Sequence, residues 1–137
     1  MKNYLILFFL VAVSTSIFGQ ESKAPVAKAN GPVLAFEKNT HDFGDIYQGD
    51  RVEQVFKFKN TGTEPLIITN IEVTCGCTAP EWPRNPIPAG GEGEIKVAFN
   101  SAGKMGRQNK TVVVKSNALN DDNTISFVTT ILDKKPQ

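Results

Sequence analysis

Residues 51–62 read RVEQVFKFKNTG, and this stretch decides the fold. Phe56 and Phe58 point one way while Lys57 and Lys59 point the other, the period of two that belongs to a half-buried β-strand. Asn60-Thr61-Gly62 then supplies a strong turn signal. Working outward, the same grammar recurs and helical spacing is nowhere sustained. On the N-terminal side, Val33 to Lys38 reads as a strand with Leu34 and Phe36 on one face. His41 to Tyr47 carries Phe43 and Ile46 around Gly44, and Gln48-Gly49-Asp50 turns the chain into the opening segment.

On the C-terminal side, Leu66 to Thr74 is rich in β-branched residues, with Ile67, Thr69, Ile71 and Val73 expected on one face. Thr78 to Gly91 holds Pro80, Pro83, Pro86 and Pro88. Proline denies donors to a ladder, so this stretch is expected to be an edge crossing or a long loop. Glu94 to Asn100 alternates again, with Ile95, Val97 and Phe99 inward. Asn109 to Ser116 and Thr124 to Leu132 follow, the last with Ile125, Phe127, Thr129 and Ile131 on one face. About seven short strands in one hundred residues predict an all-β, immunoglobulin-like antiparallel sandwich. Antibody-type domains bridge their sheets with two distant cysteines. Here the cysteines are two apart, so that subtype is excluded.

The N-terminus speaks to compartment. Lys2 precedes an apolar run of about ten residues, Tyr4 to Val13, followed by Ser14, Thr15, Ser16 and then Gly19-Gln20. A bilayer-spanning helix needs roughly 20 apolar residues, so this run predicts a cleavable signal peptide over residues 1–19. Cleavage is expected after Gly19, or near Ser16 because Ile17 is bulky for its place. No cysteine lies near the cut to carry a lipid. Residues 20–32, small, polar and punctuated by Pro and Gly, read as a flexible linker; 33–132 is the expected domain and 133–137 a C-terminal tail. The expected localisation is periplasmic or secreted, with no membrane span after cleavage.

The 137 residues less the nineteen removed leave 118, enough for one domain with a real core. The whole chain has 15 basic and 14 acidic residues; losing Lys2 makes them equal in number. A neutral domain with no basic run lacks the electrostatic footprint for nucleic acid or an anionic membrane.

Cys75-Gly76-Cys77-Thr78 is the one local constellation with chemistry in it. If the strand before it continues, period two puts both sulfurs on the face of Ile71 and Val73. Three readings stand side by side. Two small buried thiols can simply end a core strand. A Cys75–Cys77 disulfide suits an exported protein, but requires a turn at Gly76 because extended i, i+2 Cα atoms lie about 6.5–7 Å apart. Finally, Cys75 and Cys77 as thiolates are candidate metal ligands for Cu(I), or for part of a zinc shell that would lack a fourth ligand, with His41 the one histidine and Met105 the one methionine of the mature chain. No cofactor is otherwise implied.

Other candidates carry less. Gly90-Gly91-Glu92-Gly93 resembles a phosphate loop but leads into a strand, not a helix, so a turn is expected. His41-Asp42 reads as a surface pair, since neighbours in a strand face opposite ways and no nucleophile is placed beside them. Asn109-Lys110-Thr111 is a glycosylation sequon where that machinery exists. Trp82, beside the Pro-rich edge, reads as a lid on the core or as the leading contact residue for a partner, and the contact is expected at this loop or by strand addition at an exposed sheet edge. With no acid–base pair or cofactor loop in view, the chain is expected not to be an enzyme.

Several of these residues carry a resemblance: Phe43-Gly44 with Ile46 and Gly49, Val55 to Phe58, Asn60-Thr61-Gly62, Pro65-Leu66-Ile68, Cys75-Gly76-Cys77-Thr78, Ile87-Pro88-Ala89-Gly90, and Ser116-Asn117. In this order they resemble the bacterial "domain of unknown function 1573" family over roughly residues 33–132. That family is similar in fold to major sperm protein and ASH/Hydin domains. The resemblance implies an Ig-like sandwich in the bacterial envelope and no established activity. By fold analogy it implies an interaction or scaffolding module whose partner is another envelope or secreted protein. The alternative is a copper-handling or thiol-redox protein using Cys75 and Cys77.

Overall fold

The computed structural model describes residues 30–121, 123–133, 136 and 137. The expected signal peptide, 1–19, and most of the expected linker lie outside the described residues. Among the described residues there are eight strands and no helix: β1 Leu34–Phe36, β2 Thr40–Tyr47, β3 Arg51–Asn60, β4 Ile68–Val73, β5 Thr78–Glu81, β6 Glu92–Asn100, β7 Gly106–Ser116 and β8 Thr124–Leu132. They form two four-stranded sheets, β1-β3-β6-β5 (sheet A) and β2-β8-β7-β4 (sheet B), an Ig-like sandwich.

The alternation read around Phe56 is the organising fact of sheet A. Phe56 and Phe58 are buried while Val55, Lys57 and Lys59 are exposed. On β6, Ile95, Val97 and Phe99 are buried against them, in antiparallel register from Arg51↔Asn100 to Lys59↔Glu92. Opposite, Val112, Val114, Ile125, Phe127 and Ile131 close the core from sheet B. Phe99 and Phe127 meet across the sandwich with ring centroids 5.3 Å apart. Gly93 lies opposite Phe58, where a Cβ would run into the ring.

The sequence expectation differs from the structure in three places. First, the strand count is eight, because the Pro-rich stretch begins with β5, which pairs with β6 from Thr78↔Phe99 to Glu81↔Lys96. Only its far edge lacks a donor, at Pro80, which is the edge position proline tolerates. Second, the sandwich is not wholly antiparallel: β2 pairs with β8 in parallel, from Thr40↔Ser126 to Tyr47↔Leu132. Third, Ile67 is 41% exposed and Ile68 is buried. A register shift between Ile68 and Asn70 leaves Thr69 and Asn70 both outward, so Ile71 returns to the core. A bulge of this kind breaks strict alternation without any compositional mark.

Asn60 ends β3 as a fully buried junction. Its Oδ1 accepts from the backbone N–H groups of Val33 (3.2 Å) and Gly62 (3.0 Å). Its Nδ2 donates to the carbonyls of Glu64 (2.7 Å) and Ile87 (3.0 Å). Its own N–H and C=O pair with Gly91 and Gly90. One side chain thus satisfies the start of β1, the turn after β3, and the loop entering β6. Gly62 allows the fit, because a Cβ there would strike the backbone of Gly31 to Val33.

Candidate functional site

β4 leaves sheet B at Val73 and the chain enters sheet A at Thr78, so Cys75-Gly76-Cys77 is the crossing between the sheets. The crossing is a turn: the Thr78 N–H donates to the Cys75 carbonyl at 3.2 Å. The Cys77 carbonyl is tied by the N–H of Asn100, at the end of β6, at 3.0 Å. The turn shortens the Cys75–Cys77 Cα separation to 5.3 Å, and the two sulfurs form a disulfide. Of the three readings of this pair, the disulfide is the state of the structure. As a staple it is weak, since the chain-entropy estimate for so short a loop is roughly 1.5 kcal/mol, against about 3 kcal/mol for fifteen residues.

Both cysteines are half-buried, and Cys77 packs against the core. Gly76 is exposed, with open space where a Cβ would stand. The Thr78 side chain is buried, and its Oγ1 lies 3.7 Å from the Cys75 sulfur and 4.0 Å from the Cys77 sulfur.

A sulfur pair bonded to itself offers no thiolate, so Cu(I) would require prior reduction. The other donors are remote from it. His41 lies on β2, across β8 and β7 from β4, which at strand spacing is about 14 Å from that strand. Met105 is 52% exposed just before β7. Among the described residues no group of three or more His, Cys, Asp or Glu side chains is placed to hold a metal ion. His41 faces inward and Asp42 outward, and the imidazole packs edge-on to Phe43 at 4.6 Å. Burial and the nearby Lys38 charge lower the His41 pKa below its ordinary 6.5, with Asp42 acting the other way.

Trp82 follows β5, partly buried against the core, with the Arg84 guanidinium 3.7 Å above its ring centroid. Its indole N–H is buried without a hydrogen-bond partner among the described residues. Beside it lies a shallow depression of about 340 Å³ lined by Val55, Glu81, Glu94 and Lys96.

The sheet edges and faces differ in what they offer a partner. At β1, the Asn120 carboxamide pairs with both the N–H and the C=O of Leu34 (3.0 and 2.8 Å), closing that edge as a strand would. β2 is broken by a register shift between Asp42 and Asp45, where the Gly44 N–H turns to the Asp42 carboxylate and its C=O to Thr129 Oγ1. β4 carries its bulge and β5 its proline. Every edge is thereby blunted. The outer face of sheet A is a ladder of charge, with Lys57 opposite Glu94, Lys59 opposite Glu92, and Lys96 paired to Glu81 at 3.2 Å. The middle of sheet B's outer face is uncharged: Thr111, Val113, Thr124, Ser126, Val128 and Thr130, all half-buried, alternate with the core residues of β7 and β8.

Sequence reasoning found the Cys-Gly-Cys pair and Trp82 but missed Asn60, Asn120 and Thr78 as working residues. Asn60 was visible only as a turn former, and Asn120 only as part of a polar loop.

Structural comparison agrees with the topology. A crystal structure of a protein of unknown function from Porphyromonas gingivalis W83 superposes with a TM-score of 0.64 at 15% identity, over 80% of this chain and 51% of that one. The chain therefore spans about half the length of that relative. The ASH/PapD-like domain 7 of human CEP192 gives 0.59 at 12% identity, covering 81% of this chain and 93% of the domain. The SrpA adhesin of Streptococcus sanguinis gives 0.51 at 13% identity, over 81% and 64%. At such identities the likeness carries the fold alone. No curated protein matches the sequence. The family described as "Protein of unknown function (DUF1573)" matches residues 34–131, nearly the whole sandwich, and the chain belongs to that family.

Proposed function

We propose that the protein is an exported interaction module that binds another envelope or secreted protein and acts by contact rather than catalysis. The observation that carries this reading is the contrast between the two outer faces. Sheet A presents paired charges that stay solvated. The middle of sheet B presents a neutral, β-branched strip along β7 and β8, flanked by Asp42, Asp45, Arg107 and the Lys115–Glu72 pair, and this strip costs little to desolvate against an uncharged protein face. The blunted edges argue for face contact over strand addition. Export rests on residues 1–19, and N-terminal sequencing of the mature protein should read Gln20.

Trp82 tests the placement of the contact. Its ring is already engaged by the core and Arg84, so Trp82→Ala should lower stability and leave binding per folded molecule unchanged. Val128→Lys and Thr111→Lys should abolish capture of the partner from envelope and secreted fractions with little change in Tm. Lys57→Glu should leave capture intact. If Trp82→Ala alone loses the partner at unchanged Tm, the contact belongs to the Pro-rich loop. If none of the variants alters capture, the face reading fails.

A second reading is favoured by one observation, the bonded state of Cys75 and Cys77. It supports thiol-redox use of the pair over copper handling, which needs free thiolates.

A further inference from the structure

We infer that the Cys75–Cys77 disulfide is a thiol–disulfide exchange site that takes two electrons from a dithiol, and that the Thr78 hydroxyl stabilises the thiolate it releases. The inference rests on the thiol-redox reading of Cys75 and Cys77 and is independent of the contact face on sheet B.

Three features converge on this. The bond spans a single glycine in a turn between the two sheets, so it adds little to a sandwich whose core is complete on both sides of it. Cys75 and Cys77 are half-buried residues, and Gly76 between them is exposed with open space where a Cβ would stand, so the turn offers an incoming thiol a side free of packing. Thr78 Oγ1 sits within reach of both sulfurs and has no other partner among the described residues. A buried hydroxyl with only sulfur beside it can donate to a sulfur anion. A hydrogen bond to a charged acceptor is among the stronger kinds.

The packing assigns an order to the two sulfurs. Cys77 packs against the core and Cys75 does not. The thiolate of the dithiol therefore attacks Cys75 Sγ. The Cys75–Cys77 bond breaks, a mixed disulfide forms on Cys75, and Cys77 leaves as a thiolate that accepts the Thr78 proton in a hydrogen bond. The second thiolate of the dithiol then attacks its own sulfur in the mixed disulfide and expels Cys75. The dithiol ends as a disulfide, oxidised by two electrons. Cys75 and Cys77 end as thiols, and the two protons they take up replace the two the dithiol gave to solvent.

The test uses the folded, oxidised mature protein. It is exposed to dithiothreitol, or in a parallel arm to a reduced two-cysteine peptide, then quenched in acid, alkylated and weighed. Wild type should be reduced while circular dichroism stays native. Thr78→Val should react about tenfold more slowly, and Thr78→Ser should retain the wild-type rate. Reaction in either arm supports the exchange and names its source of dithiol. Reduction only at denaturant levels that unfold the chain overturns it, as does an equal rate for Thr78→Val. Single-cysteine variants cover the case in which Thr78→Val does not fold. Cys77→Ser, with Cys75 free, should alkylate at least about tenfold faster than Cys75→Ser, and the reverse order overturns the assignment.

Discussion

Asn60 shows how much a single buried carboxamide can govern. Its four side-chain hydrogen bonds reach backbone groups of Val33, Gly62, Glu64 and Ile87, in three separate stretches of the fold. Asn60→Ala leaves the Val33 and Gly62 N–H groups and the Glu64 carbonyl without this partner, while the Ile87 carbonyl keeps the Leu66 N–H, and with a cost of roughly 1–3 kcal/mol for each buried orphan the expected loss is about 3 kcal/mol. Urea unfolding should show this as a lower midpoint at unchanged slope. His41 makes a smaller, pH-dependent contribution. Its pKa is lowered in the folded state, first by burial and then by Lys38, so the unfolded chain binds more protons in the range just below 6.5. Its contribution is complete above that value and is lost as pH falls through it. His41→Gln should therefore flatten part of the fall in Tm between pH 7 and 5, and identical slopes for the two proteins would contradict this. The sequence named Asn60 as a turn residue and His41 as a surface residue, because neither burial nor long-range hydrogen bonding has a local signature.

At the scale of elements, the apolar alternation made most strands legible. Phe56 and Phe58, Ile95 to Phe99, and Ile125 to Ile131 lie on the core faces that period two assigns them. Legibility failed where the backbone departs from ideal pleating. The bulge in β4 moves the buried position from Ile67 to Ile68, so one exposed and one buried isoleucine stand side by side. Ile67→Lys should change stability by less than about 0.5 kcal/mol, whereas Ile68→Ala should cost about 2–5 kcal/mol. The opposite order would restore the unbroken alternation read from the sequence. β5 escaped notice for a different reason: four residues with a central proline resemble a loop until β6 supplies the ladder. The Cys-Gly-Cys turn was legible as a geometric requirement of a disulfide, but whether the chain meets that requirement is set by the crossing between sheets, which no local pattern encodes.

At the scale of the molecule, four of the six strand pairs join strands that are not consecutive in sequence, β1 with β3, β2 with β8, β3 with β6 and β4 with β7. Loop closure precedes any reward from such contacts, so refolding is expected in the millisecond-to-second range by stopped-flow fluorescence of Trp82. Microsecond refolding would contradict it. The parallel β2–β8 pair has a further consequence. Toward the N-terminus the chain enters β2 at Thr40, beside Ser126, and toward the C-terminus it leaves β8 at Leu132, beside Tyr47. Tension applied to the two ends of the sandwich, once it has drawn the short β1 off β3, therefore pulls these neighbours along their length in opposite directions. Their hydrogen bonds are loaded together, as a lap joint is, instead of opening one at a time like a zip. A domain tethered at one end and holding a partner at the other would yield only at high force, and the weak point of the joint is the interruption between Asp42 and Asp45.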